Sequence, residues 1–305
     1  MRKFEKSSKL DNVCYDVRGP VVEEANKMMA QGVDVLRLNI GNPAPFGFNA
    51  PNEVIYDMIH NLRDAQGYSD SKGIFSARKA IMQYCQLKKI EGVTLDDIYT
   101  GNGVSELISL SMQGLLNNGD EILIPSPDYP LWTAAANLAG GHPVHYICDE
   151  QSEWFPDMDD IRKKITDKTK VLILNSPCNP TGAMIPEEEL WRIRDIVLKH
   201  NLTVISDQPY ERLVYDGRRA VSIGALPDMD KHTMTVNTFS KTYAMSGWRV
   251  GYGTGRRAAG RHLSAGALHA LSARQQFAFH AAGRDGVLRI RRILYRPPGI
   301  SAKFL

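Results

Sequence analysis

Cysteine is scarce and scattered in this chain. Four occur in 305 residues, Cys14, Cys85, Cys148 and Cys178. No two form a C-x-x-C pair, which suits a reducing, cytoplasmic setting. Long apolar runs are also missing: nothing approaches the roughly 18 residues that a membrane-crossing helix needs. The basic start, Met1 to Lys6, has no apolar stretch behind it, so it is not read as a signal peptide. Internal repeats and low-complexity linkers are absent between residues 98 and 253. Acidic residues all but vanish near the end, where Asp285 is the single acid among residues 254–305. With 43% apolar and 23% charged residues the composition is that of a globular protein. The length suits one large domain and a smaller piece.

What is present is a set of buried-strand patterns that end in polar residues. Thr233-Met234-Thr235-Val236 leads into Thr238-Phe239-Ser240-Lys241, with Arg249 further on. A lysine held just past a strand by rigid backbone can lose its proton and attack a carbonyl, as Schiff-base lysines do. Thr238, Ser240 and Arg249 are residue types that hold a phosphate. Val171 to Leu174 runs into Asn175-Ser176-Pro177-Cys178-Asn179-Pro180, and Leu202 to Ser206 into Asp207-Gln208-Pro209-Tyr210. Asn179, Asp207 and Lys241 are 28 and 34 residues apart, room each time for one helix and one strand. Ligands of open α/β sheets bind beyond the carboxyl ends of the strands, so one shared site is expected. Ile98 to Leu107 reads as strand, glycine turn, helix, and makes Gly103, Val104 and Ser105 a second phosphate cradle. Helices are expected over 20–31, over 76–84 and from Met158 to Ile165, and strands from Val33 to Ile40, from Glu121 to Pro125 and from His142 to Cys148. The fold class expected is α/β: three layers around a mostly parallel sheet.

These motifs resemble the fold-type I, pyridoxal-phosphate-dependent class I/II aminotransferases. S-K-x-x-x-x-x-G-x-R (Ser240 to Arg249), N-P-x-G (Asn179 to Gly182) and D-x-x-Y (Asp207 to Tyr210) stand in the family's order and spacing. Leu38 to Pro43 and Gly67 to Gly73 are most similar to bacterial alanine (glutamate–pyruvate) aminotransferases. The resemblance implies that Lys241 holds pyridoxal 5'-phosphate and serves as general base. Asp207 then faces the pyridine nitrogen, while Asn179 and Tyr210 bond the ring's phenolic oxygen. It further implies that Tyr129 stacks on the ring and that the backbone of Gly41, with Asn179, meets the substrate carboxylate. Tyr68 reaches the phosphate of a neighbouring subunit's cofactor, which implies a homodimer. Implied substrates are an amino acid, alanine first, and a 2-oxo acid, pyruvate or 2-oxoglutarate; aspartate or aromatic amino acids are the alternatives. No metal is implied. Gln208-Pro209 departs from the acid and hydrophobe of many members.

The expected division is an arm over 1–45, a cofactor-binding domain over 46–253 and a tail over 254–305. The resemblance is expected to stop near Gly253, which leaves the second domain incomplete and no residue to act as the carboxylate-clamping arginine. The tail holds nine arginines and one lysine. Translating a GC-rich gene out of frame produces such a change, so a frameshift near codon 254 is expected, with an inactive remnant of the family as one alternative. A basic nucleic-acid-binding extension ranks lower, since its arginines are not interleaved with aromatics and match no such motif. Neither a membrane nor a nucleic acid is expected as partner.

Overall fold

The structure, a computed structural model, describes residues 5–11, 13, 19–37 and 40–255. Three helices come first: α1 (Gly19–Ala30), α2 (Asn52–Asn61) and α3 (Phe75–Leu87). Then follow β1 (Ile98–Asn102), α4 (Gly103–Leu115), β2 (Glu121–Ser126), α5 (Leu131–Leu138), β3 (His142–Ile147) and α6 (Met158–Lys164). The described chain continues with β4 (Thr169–Asn175), α7 (Glu187–His200), β5 (Thr203–Asp207), β6 (Thr233–Thr238), α8 (Phe239–Thr242) and β7 (Val250–Gly255).

All seven strands form one sheet in the order β1-β7-β6-β5-β4-β2-β3. From β3 to β6 every pairing is parallel, and β7 runs antiparallel between β6 and β1. The central strands are buried along nearly their whole length because helices cover both faces. On β4 the alternation is explicit. Leu172 and Leu174 join a core with Leu190, Ile193 and Val197 of α7, while Val171 and Ile173 join one with Leu107, Ile108 and Met112 of α4 and with Trp132 of α5. A third cluster packs Ile81 and Cys85 of α3 against Phe239, Val250 and Tyr252. The expected three-layer, mostly parallel α/β architecture is what these elements build.

Two expectations change. Residues 33–37, read as part of a strand, are in none. Val33, Leu36 and Ile40 are exposed, so an apolar run here meets no strand edge among the described residues and gains no ladder. Beyond Gly255 the arginine-rich tail lies outside the described residues, as do Leu38 and Asn39.

Candidate active site

The parallel register brings three strand ends together. Asn175, last in β4, lies opposite Asp207, last in β5, and Asp207 lies opposite Val236 of β6. The Asn175 amide donates to the Asp207 carbonyl (3.2 Å), and its oxygen accepts from the Asn179 backbone N–H (2.7 Å). The turn carrying half-buried Asn179 is thereby tied to β5.

Asp207 is 2% exposed. One carboxyl oxygen, Oδ2, accepts from the indole N–H of Trp132 at 3.2 Å. The other, Oδ1, is buried and has no partner among the described residues. Burial pushes the carboxyl pKa up to about 7, against the pull of the Trp132 hydrogen bond. Tyr210 sits nearby: burial first, and then the Asp207 charge, raise its phenol above the usual value.

Lys241 rides on α8. Thr238 caps this short helix by accepting from the Ser240 N–H (3.1 Å), while its hydroxyl donates to the Val250 carbonyl (2.7 Å) and the Ser240 Oγ lies at 2.8 Å. The half-buried Lys241 ammonium donates to the Gly41 carbonyl at 3.1 Å and lies 5.7 Å from the centre of the Tyr210 ring. Burial, and next the Arg249 charge, lower its pKa. A lysine so placed gives up its proton more readily than one in water.

Arg249 closes the other corner. Its backbone is left-handed (φ 57°), a conformation that costs a non-glycine residue energy, and its guanidinium donates to the Ser246 carbonyl at 3.0 Å. A Cβ added at Gly103, whose φ is +76°, would stand 2.4 Å from Arg249 Nη2. The guanidinium therefore lies against the first residue of α4, whose preceding Asn102 offers no side-chain cap. At Gly251 a Cβ would meet the Gly103 carbonyl carbon at 2.8 Å and the Val104 nitrogen at 3.0 Å, so β7 abuts the start of that helix. The start of α4, with Gly103, thus meets the Arg249 guanidinium, whose charge also reaches Lys241; free amides at a helix start and a guanidinium are groups suited to an anion.

Tyr129 precedes α5 and packs, partly buried, against the core cluster that holds Trp132. Tyr68 is not brought to this group within the chain; it is 95% exposed, on a segment that Arg78 pins through the Gly73 carbonyl (2.8 Å) and Asp70 (3.0 Å). Sequence reasoning overlooked two features. Trp132 is given no role in the sequence analysis, because which carboxylate its indole reaches depends on how α5 packs on the sheet. The side chain of Gln208, a departure from the family pattern, turns to the opposite face of β5 from Asp207 and joins a buried polar cluster with Lys88 and Glu211. Alternation along the strand was its one available signal. Among the described residues no group of three or more His, Cys, Asp or Glu could hold a metal ion.

Comparison with known proteins points one way. The family model for aminotransferase class I and II matches residues 33–289, which extends past Gly253. The glutamate-pyruvate aminotransferase AlaA of Escherichia coli K12 is 56% identical over 253 residues, 83% of this chain and 62% of that protein. An alanine aminotransferase of Mycobacterium bovis is 49% identical over 82% of this chain and 58% of its own length. The chain thus spans about three fifths of the curated relatives it matches. In three dimensions it is similar to the crystal structure of an aminotransferase from Escherichia coli, with a TM-score of 0.89 and 48% identity, over 98% of this chain and 73% of the other.

Proposed function

We propose, since this chain belongs to the aminotransferase class I and II family, that it moves an amino group between alanine and a 2-oxo acid, pyruvate or 2-oxoglutarate. Members of the family generally depend on pyridoxal phosphate. One observation above all fits these residues to that group: the buried Asp207 Oδ1 has no partner among the described residues. A protonated pyridine nitrogen is both donor and cation, and beside it the Asp207 carboxyl comes down from about 7 and ionises at neutral pH. When bound, the cofactor supplies an electron sink for the bond broken at the substrate's alpha carbon.

The chain's own residues do the rest. Lys241, with its lowered pKa, is the amine that holds the cofactor and the base that takes the alpha proton. Asn179 and Tyr210 orient the ring through its phenolic oxygen, and Tyr129 covers its face. Arg249, Ser240 and the amides of Gly103, Val104 and Ser105 hold the phosphate on the turn that Thr238 builds. Gly41, already in contact with Lys241, offers backbone to the substrate carboxylate. Tyr68, exposed in one chain, serves the site of a second copy in a homodimer. Alanine is preferred to aspartate on the names of the relatives, and a cytoplasmic setting on the free thiols of Cys85, Cys148 and Cys178.

The test is spectroscopic. Purified protein titrated with pyridoxal phosphate should turn yellow, Lys241→Ala should not, and L-alanine should bleach the wild-type colour. Colour that survives in Lys241→Ala would overturn the assignment of the lysine. Bleaching by aspartate and not by alanine would overturn the substrate.

A further inference from the structure

Behind the lysine turn, on the side away from Asp207, lies a polar cluster that the chemistry above leaves unused. The Glu211 carboxylate, 8% exposed, pairs with the Lys88 ammonium, 15% exposed, at the end of α3. It also accepts from the Tyr84 phenol at 2.8 Å and from the Asn237 amide at 2.6 Å. Lys88 donates in addition to Gln208, whose amide donates to the hydroxyls of Ser206 (2.6 Å) and Ser222 (2.8 Å). Asn237 accepts the Thr238 backbone N–H at 2.7 Å.

Each of these contacts ends next to a residue of the proposed site. Glu211 follows Tyr210, Gln208 follows Asp207, and Asn237 precedes Thr238, the cap of the helix that carries Lys241. A buried ion pair is weak evidence for stability, because its desolvation cost offsets its attraction and apolar side chains of the same volume do as well. Hydrogen bonds differ from apolar contacts in being directional, so they fix distances that packing alone leaves loose. We propose that Glu211, held by Lys88, Tyr84 and Asn237, is a positioning residue: it locks the end of β5, with Asp207 and Tyr210, to the end of β6, with Lys241, at the separation the reaction needs. The inference rests on the function proposed above.

The experiment compares Glu211→Gln and Tyr84→Phe with wild type, as full-length protein. Three quantities are read: affinity for pyridoxal phosphate, the pH midpoint of the bound cofactor's colour change, and the thermal midpoint without cofactor. Glu211→Gln should weaken cofactor binding roughly tenfold, about the loss of one hydrogen bond to a charged group. Tyr84→Phe removes one hydrogen bond and alters no charge. It should still move the colour midpoint by on the order of half a pH unit, a shift that reports geometry alone. Glu211→Asp should recover part of the affinity. If both variants lower the thermal midpoint while colour midpoint and affinity stay at wild-type values, the cluster is structural and the proposal fails. Wild type that never colours through Lys241 would instead bring down the function, and the inference with it.

Discussion

The two sides of the lysine turn are built on opposite rules. Toward Asp207 and Arg249 a buried carboxyl oxygen has no partner among the described residues, α4 begins without a side-chain cap, and a guanidinium lies against a glycine with positive φ. Toward Glu211 a carboxylate accepts from three side chains, and the Gln208 amide accepts from Lys88 and donates to two hydroxyls. Buried polar groups without partners cost free energy, and a fold keeps few of them. Among the described residues four buried polar side-chain atoms lack a partner, the hydroxyls of Tyr99, Thr233 and Tyr243 and the one carboxyl oxygen, Asp207 Oδ1. On the proposed function a bound ligand completes that carboxyl, while the Glu211 cluster holds the frame still.

Substitutions can break that contrast. The largest effect belongs to Asp207→Asn, which should weaken pyridoxal phosphate binding on the order of a hundredfold, as loss of a buried electrostatic partner does. The same variant should be more stable than wild type without cofactor at pH 8. The Asp207 pKa rises from 3.8 to about 7 on folding. The folded chain therefore binds the proton more tightly, and this group's contribution to stability, full below 3.8, is lost as pH rises through about 7. Thermal melts from pH 4 to 8 should show wild type falling relative to the variant; parallel curves would mean that Oδ1 is satisfied after all.

Gly103→Ala comes next. Its Cβ would stand 2.4 Å from Arg249 Nη2 at a φ of +76°. Displacing the guanidinium from the start of α4 should cost about tenfold in cofactor affinity and about 1 kcal/mol in stability. Isothermal titration of the variant decides it, and unchanged affinity would remove this corner from the site. Thr238→Val should have the smallest effect. It removes the cap of α8 and should lower the thermal midpoint by roughly 3 °C, for about 1 kcal/mol, in calorimetry. Cofactor affinity should fall as well, since Thr238 is one of the residues proposed to anchor the phosphate.

Much of this was legible before any coordinates. Continuous apolar runs ending in Asn179, Asp207 and Lys241 announce buried parallel strands, and parallel strands deliver their carboxyl ends to one edge. The Gly103 turn was readable because glycine before a helix is a local signal. The partners of Asp207 and Glu211 were not readable. Trp132 lies on α5 and Tyr84 on α3, and which strand each helix covers is a tertiary outcome that no local pattern encodes. Val33 to Arg37 misled for the converse reason: these residues favour a strand, but strand formation needs an edge to pair with. Tyr68 is different again, since nothing within one chain calls for an exposed tyrosine on a pinned loop.

The place of β7 carries a consequence for how the molecule is made. It is the last strand of the described chain, yet it sits between β6 and β1 and provides the only sheet pairing that β1 has among the described residues. About 150 residues separate Asn102 from Val250, a long-range pairing of the kind that slows folding. In chain order β1 is made before, and β7 after, the block β2 to β6, so β1 is expected to wait for its partner while β6 keeps an open edge. Residues 250–255 cover that edge, pair with β1 and bring Gly251 against the start of α4. The corner proposed to hold the phosphate is therefore completed only after β2 to β6 have been made, and a nascent chain stalled just short of Val250 is expected to expose a strand edge at β6 that β7 covers in the described structure.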